Sequence, residues 1–202
     1  MSVPTFISER RSIRAYSDRP VPREMLDSLV EAACLAPAPH HSRPWRFAVV
    51  ETSAAKQALA EAMGDRWRID LAADGVEPER IERRVATSCR RIERAPAALL
   101  ACLTVDGLEP YPDAPRSQAE WSMALLSLGA AVENLLLAAS ATGLAACWLA
   151  APMFCPEVAR DSLDLPAEWH PQAMVLVGFA DPTSPKPAER EDVRLDSVRV
   201  TR

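Results

Sequence analysis

The chain has 202 residues, of which 49% are hydrophobic and 25% charged, with a formal net charge of −5. That length and apolar share fit one globular domain over 1–202 with a sizeable core, and exclude a disordered or fibrous chain. The acidic balance argues against a nucleic-acid binder, which carries a basic excess.

An early basic cluster, Arg10-Arg11-Ser12-Ile13-Arg14, stands against that balance. Pro22-Arg23-Glu24 then opens a helix with proline at its first position. Leu26, Leu29, Val30 and Ala33 make its apolar stripe, and Pro37 stops it. A stiff segment follows, with prolines at 37, 39 and 44 that fix φ and restrict the residues before them. It leads into a strand at 47–51. Thr52-Ser53 suits the cap of a helix whose Leu59 and Met63 face inward. Residues 77–94 read as a highly charged helix. Residues 97–104 are a continuous apolar run between Pro96 and Asp106-Gly107, the pattern of a central strand.

A proline-rich loop spans 105–116, and a long helix spans 116–142. From Met123 that helix is apolar almost all round, so it needs cover on more than one side, and a partner subunit would supply it. A membrane span is the poorer reading: Glu133 and Asn134 fall mid-stretch, and a carboxylate at a bilayer centre costs roughly 2–3 kcal/mol. Gly143 ends the helix. A strand at 144–150, a short helix at 155–163 and a last strand at 174–180 complete the pattern. Residues 181–202 carry three prolines and then alternate, and read as a C-terminal arm. Strands separated by helices predict an α/β layout with a mixed sheet covered by helices.

Five scattered cysteines without CxxC spacing indicate reduced thiols in a cytoplasm, and no signal peptide is visible at the N-terminus. His40-His41 has no acidic or cysteine neighbours at ligand spacing, which argues against a metal. No GxGxxG, GxxxxGK[ST] or GxSxG motif is present. The arginine cluster fits either a phosphate clamp, since guanidinium forks and a hydroxyl suit that ligand, or a solvated basic turn. The proline loop at a strand mouth is a good wall for a flat ring. Clamp and wall together suggest a nucleotide-like cofactor.

The RRSIR stretch, the loop APAPHHSRPWRF and the later Gly143-Leu144-Ala145-Ala146-Cys147-Trp148 resemble the nitroreductase family of FMN-dependent oxidoreductases. The loop, Tyr111-Pro112-Asp113-Ala114 and Leu163-Asp164-Leu165-Pro166 are similar to the flavin domain in the C-terminal half of the bifunctional coenzyme F420-0:glutamate ligase. The resemblance implies an α/β (α+β) fold in an intertwined homodimer, with FMN sites at the interface. It implies phosphate and ribityl contacts from Arg10, Ser12 and Arg14, with Arg11 between them, and a basic residue from the arm, Arg190 or else Lys186. Pro37, Ala38, Pro39 and His41 match the segment lining the isoalloxazine edge, and Ala150, Ala151 and Pro152 the segment past its reactive face. Thr87 and Arg90 fall near further flavin contacts of relatives. His40 and Arg43 are candidates for an anionic substrate. The implied donor is NAD(P)H or reduced coenzyme F420. The implied acceptor is the dehydro precursor of coenzyme F420, or else a nitro or quinone compound. A flavin- or deazaflavin-binding protein without catalysis is the alternative. In the enzyme reading the cofactor carries the chemistry and no protein side chain is catalytic.

Overall fold

The computed structural model describes residues 3–185 together with 198 and 199. In chain order the elements are α1 (Thr5–Glu9), α2 (Arg23–Cys34), β1 (Trp45–Val50), α3 (Ser53–Ala73), α4 (Pro78–Arg94), β2 (Ala97–Leu103), α5 (Ala114–Ala141), β3 (Ala145–Leu149), α6 (Pro156–Asp161) and β4 (His170–Gly178), with short 3-10 turns at Pro39–His41 and Ala151–Phe154. The strands form one sheet in the order β1-β2-β4-β3. Arg190 and Lys186 lie outside the described residues.

Every pairing between these strands is antiparallel. The expected mixed sheet is therefore corrected in its pairing: the one parallel contact among the described residues is the isolated bridge from Ser12 to Ala146. The connections explain this. Two antiparallel helices, α3 and α4, carry the chain from β1 to its neighbour β2, and the three reversals along that path return it antiparallel. The single helix α5 leads from β2 to β3, which run in the same sense but are separated by β4.

Two layers of helices cover the sheet. Alternate residues of a strand face opposite sides. Ala97, Leu99, Ala101 and Leu103 of β2 join Val175 and Val177 of β4 against Leu26 and Leu29 of α2 and Leu128, Val132 and Leu135 of α5. Ala98, Leu100 and Cys102 join Met174 and Leu176 against Leu59 and Met63 of α3, Ile92 of α4 and Ala159 of α6. All seven β2 residues are buried, as a continuous apolar run requires.

Local signals set the element ends. The Thr52 hydroxyl accepts from the Ala55 amide and Asp113 accepts from the Arg116 amide, capping α3 and α5. Gly143, at φ +77°, closes α5, and the Leu144 amide donates back to the Ala139 carbonyl at 2.8 Å. Buried Lys56 donates to the carbonyls of Ala95 and Pro96, tying α3 to the end of α4. The 144–150 strand ends one residue early, at Leu149. The last strand starts at His170 rather than 174, because Pro171 and Gln172 are carried past a bulge opposite Ala101 and Cys102. α1 has no counterpart in the expected pattern.

α5 is long and apolar enough to cross a membrane by length and composition alone. One of its faces lies in the core. Leu126, on the other, is 76% exposed.

Candidate functional site

The chain meets the outer edge of β3 at Ser12 and Ile13 and then crosses to the end of β4 at Tyr16 and Ser17. The Ile13 amide donates to the Ala146 carbonyl at 3.0 Å, and the Tyr16 hydroxyl lies 2.8 Å from the Ile13 carbonyl and 3.2 Å from that of Leu176. The Ser17 amide then reaches the Phe179 carbonyl. The basic cluster is thus held in extended backbone against the sheet, not on a loose turn.

The structure spreads that cluster along the edge. Arg10 faces α5 and bonds Glu133 at 3.0 Å. Arg14 faces the other layer, beside the Cys147 thiol, and the charge of Arg91 on α4 also reaches that thiol. Burial pushes that thiol up, and the two guanidiniums partly offset the rise. Arg11 turns back to the carbonyls of Ser8 and Arg10, at 2.7 and 3.0 Å, and so closes the end of α1. The Ser12 side chain is exposed between Arg10 and Arg14.

The proline loop stands further along the same face of α5. Pro37, Ala38 and Pro39 line a cavity of about 440 Å³ with Met123, Leu126, Ser127 and Ala130. Leu126, Ala130 and Glu133 follow helical spacing, so the Arg10–Glu133 pair lies about 10 Å beyond Leu126 along the axis. His40, His41 and Arg43 all have positive φ, at 53°, 54° and 46°. Three non-glycine residues in the left-handed region within four positions cost of order 1–3 kcal/mol each. Their side chains are exposed, and no hydrogen bond holds either imidazole among the described residues. Arg46 supports the loop by donating to the Arg43 and Trp45 carbonyls.

At the other end of β3, Ala150 is exposed, Ala151 half-buried and Pro152 buried. Ala151 lines a cavity of about 420 Å³ between α3, α4 and the Ala151–Phe154 turn. Within one chain the clamp, the proline loop and this turn line three separate cavities. Thr87 lines a fourth, and its hydroxyl accepts from Arg90 at 3.3 Å.

The profile of the nitroreductase family matches residues 7–179. The chain belongs to the nitroreductase family. Among its relatives is a protein of Archaeoglobus fulgidus named as an NADH dehydrogenase/NAD(P)H nitroreductase, 30% identical over 71% of this chain and 64% of that protein. The match thus spans less than two thirds of that relative's own length. The 5,6-dimethylbenzimidazole synthase of Rhodospirillum rubrum is 29% identical over 88% of this chain and 82% of its own. A nitroreductase of Bacteroides fragilis solved with bound FMN shares the fold, with a TM-score of 0.72 and 22% identity, over 98% of this chain and 97% of that one.

Two features of this candidate site escaped the sequence reading. Glu133 served there only as a mark against a membrane span, whereas it holds Arg10. Arg91 sits among alternating charges on α4 and reads as a solvated helix face, yet its charge reaches the Cys147 thiol of β3. A signal was present: Arg80, Arg84 and Arg91 recur at helical spacing on one face.

Proposed function

We propose that this protein is an FMN-dependent oxidoreductase that accepts reducing equivalents from NAD(P)H and works as a homodimer. The observation that carries the reading is the placing of Arg10, Ser12 and Arg14 along the outer edge of β3 in a chain of the nitroreductase family. The donor set fits the cofactor. Guanidinium forks and a hydroxyl suit a phosphate and a ribityl chain. Beyond Ala146 the outer edge of β3 has no strand paired to it among the described residues, which leaves main-chain groups open to a flat ring. FMN, when bound, supplies the two-electron redox chemistry.

The protein's own part is to bind, orient and exclude water. Arg10 is braced by Glu133, so its guanidinium is oriented before any ligand arrives. Arg14 and Arg91 place positive charge beside the middle of β3, where they favour an electron-rich ring. The small side chains of Ala150 and Ala151 let a ring approach the main chain. Pro37, Ala38 and Pro39 form a stiff wall beside α5, followed by the exposed His41. Within one chain the wall and the clamp line separate cavities, and Leu126 beside the wall is exposed. A second copy packed on this face would bring its wall to the first copy's clamp. The NAD(P)H donor is supported by the name of the archaeal relative. The arm residue Arg190, or Lys186, is the proposed extra phosphate contact.

For the acceptor, the reading offers nitro and quinone compounds or the dehydro precursor of coenzyme F420, the latter resting on the resemblance of the proline loop. His40 and Arg43 are the residues proposed to meet an anionic acceptor there. The test is anaerobic mixing of FMN-loaded protein with NADPH, NADH and reduced coenzyme F420 in turn, then with each acceptor. Bleaching by a donor and recovery with one acceptor class is the expected result. Tight FMN binding with no bleaching by any donor would leave a flavin carrier instead of an enzyme.

A further inference from the structure

α4 carries a cavity of about 430 Å³ lined by Arg80, Arg83, Arg84 and Arg91, with Thr87, Ser88 and Trp67. Trp67 and Ser88 also line the cavity of about 420 Å³ that reaches Ala151. Trp67 and Ser88 wall both, so the two cavities adjoin as a groove with unlike ends. The end near Ala151 is walled by apolar groups such as Met63, Ile92 and Phe154. Its carboxylates are Asp70 and Asp74, and Asp70 is held by Arg66 at 3.0 Å.

The other end is cationic. No carboxylate lines it. Two acidic residues of α4 are already engaged: Glu82 is taken by Arg68 at 3.0 Å, and Glu79 faces Arg83 at 3.6 Å. Arg84 lies over the Trp67 ring at 5.7 Å. Arg80, Arg84 and Arg91 have no carboxylate partner among the described residues. Like charges at i,i+4, as at Arg80 and Arg84, cost a helix roughly 0.2–0.5 kcal/mol. In a chain of net charge −5, three uncompensated guanidiniums in one groove concentrate a positive field that an anion would relieve.

We propose that this groove takes the reducible substrate, a flat apolar ring in the end near Ala151 joined to a phosphate or carboxylate held by Arg80, Arg84 and Arg91. The assignment as substrate site rests on the oxidoreductase reading; the binding does not. Arg91 links the two, since it lines the groove and, like Arg14, places its charge on the Cys147 thiol and the Tyr16 hydroxyl.

The test uses protein incubated with excess FMN and two fluorescent probes of similar shape, 8-anilino-1-naphthalenesulfonate and the uncharged N-phenyl-1-naphthylamine. The sulfonate is expected to bind wild type at least about tenfold tighter than Arg80→Gln/Arg84→Gln, with Arg80→Lys/Arg84→Lys between them. Roughly 0.5 M salt should shrink that difference. The uncharged probe should bind wild type and the glutamine variant alike, which also shows that the variant is folded. Equal sulfonate binding by wild type and the glutamine variant overturns the groove, while FMN uptake by the same samples would leave the cofactor reading standing. Arginine-dependent sulfonate binding by protein that takes up no FMN supports the groove and overturns the oxidoreductase reading.

Discussion

Arg10 and Arg14 are four residues apart, yet Arg10 meets Glu133 of α5 on one side of the sheet and Arg14 meets the Cys147 thiol on the other. Only the sheet edge between them makes them one set. The sequence showed the cluster and its chemistry, because arginines and a hydroxyl announce themselves by type. It could not show that Arg11 is turned back to carbonyls, since that depends on where α1 ends. A buried group gives the sharpest prediction at this scale. Burial pushes the Cys102 thiol up to about 12 from its ordinary 9.0. In the folded state the thiol stays protonated where the unfolded chain would ionise. Its contribution to stability is therefore present below pH 9.0 and lost progressively as pH rises from 9.0 toward 12. Urea midpoints should fall more steeply between pH 8.5 and 10.5 for wild type than for Cys102→Val. Parallel slopes for the two proteins would contradict this.

Among the elements, the β2 strand and helices α2, α3 and α5 were legible because their signals are local: an unbroken apolar run, a proline or threonine start, a glycine stop. Strand ends at 144–150 and 174–180 were less so, since the bulge opposite Cys102 reflects pairing, which a single strand's sequence does not contain. The antiparallel sense of the sheet was hidden for the same reason. It follows from α3 and α4 lying back to back. That contact is close at Gly64, where an added Cβ would meet Cys89 Sγ at 2.9 Å and Val85 Cγ1 at 3.0 Å. A side chain gains up to about 1 kcal/mol of helix propensity over glycine, whereas overpacking costs about 1–3 kcal/mol. Gly64→Val should thus lower stability by roughly 1 kcal/mol or more, read as a lower urea midpoint. An unchanged or raised midpoint would mean the two helices separate at little cost.

On the scale of the whole molecule, α5 presents one face to the core and leaves Leu126 exposed beside the proline loop. The sequence signalled an over-apolar helix and hence a partner, but not which residues would meet it. The homodimer reading predicts that wild type sediments as a dimer, and that Leu126→Asp sediments as a monomer with weakened FMN uptake. A monomeric wild type that still binds FMN would confine the whole site to one chain and remove the role given to the second copy.

The central claim is that the edge of β3 holds FMN through Arg10, Ser12 and Arg14. Its most direct test is a titration of FMN fluorescence with purified wild type and with Arg14→Ala, followed by gel filtration and an absorbance spectrum. Wild type should quench the flavin stoichiometrically and leave the column yellow, and Arg14→Ala should bind at least about tenfold more weakly. Wild type that leaves the column colourless would contradict the account.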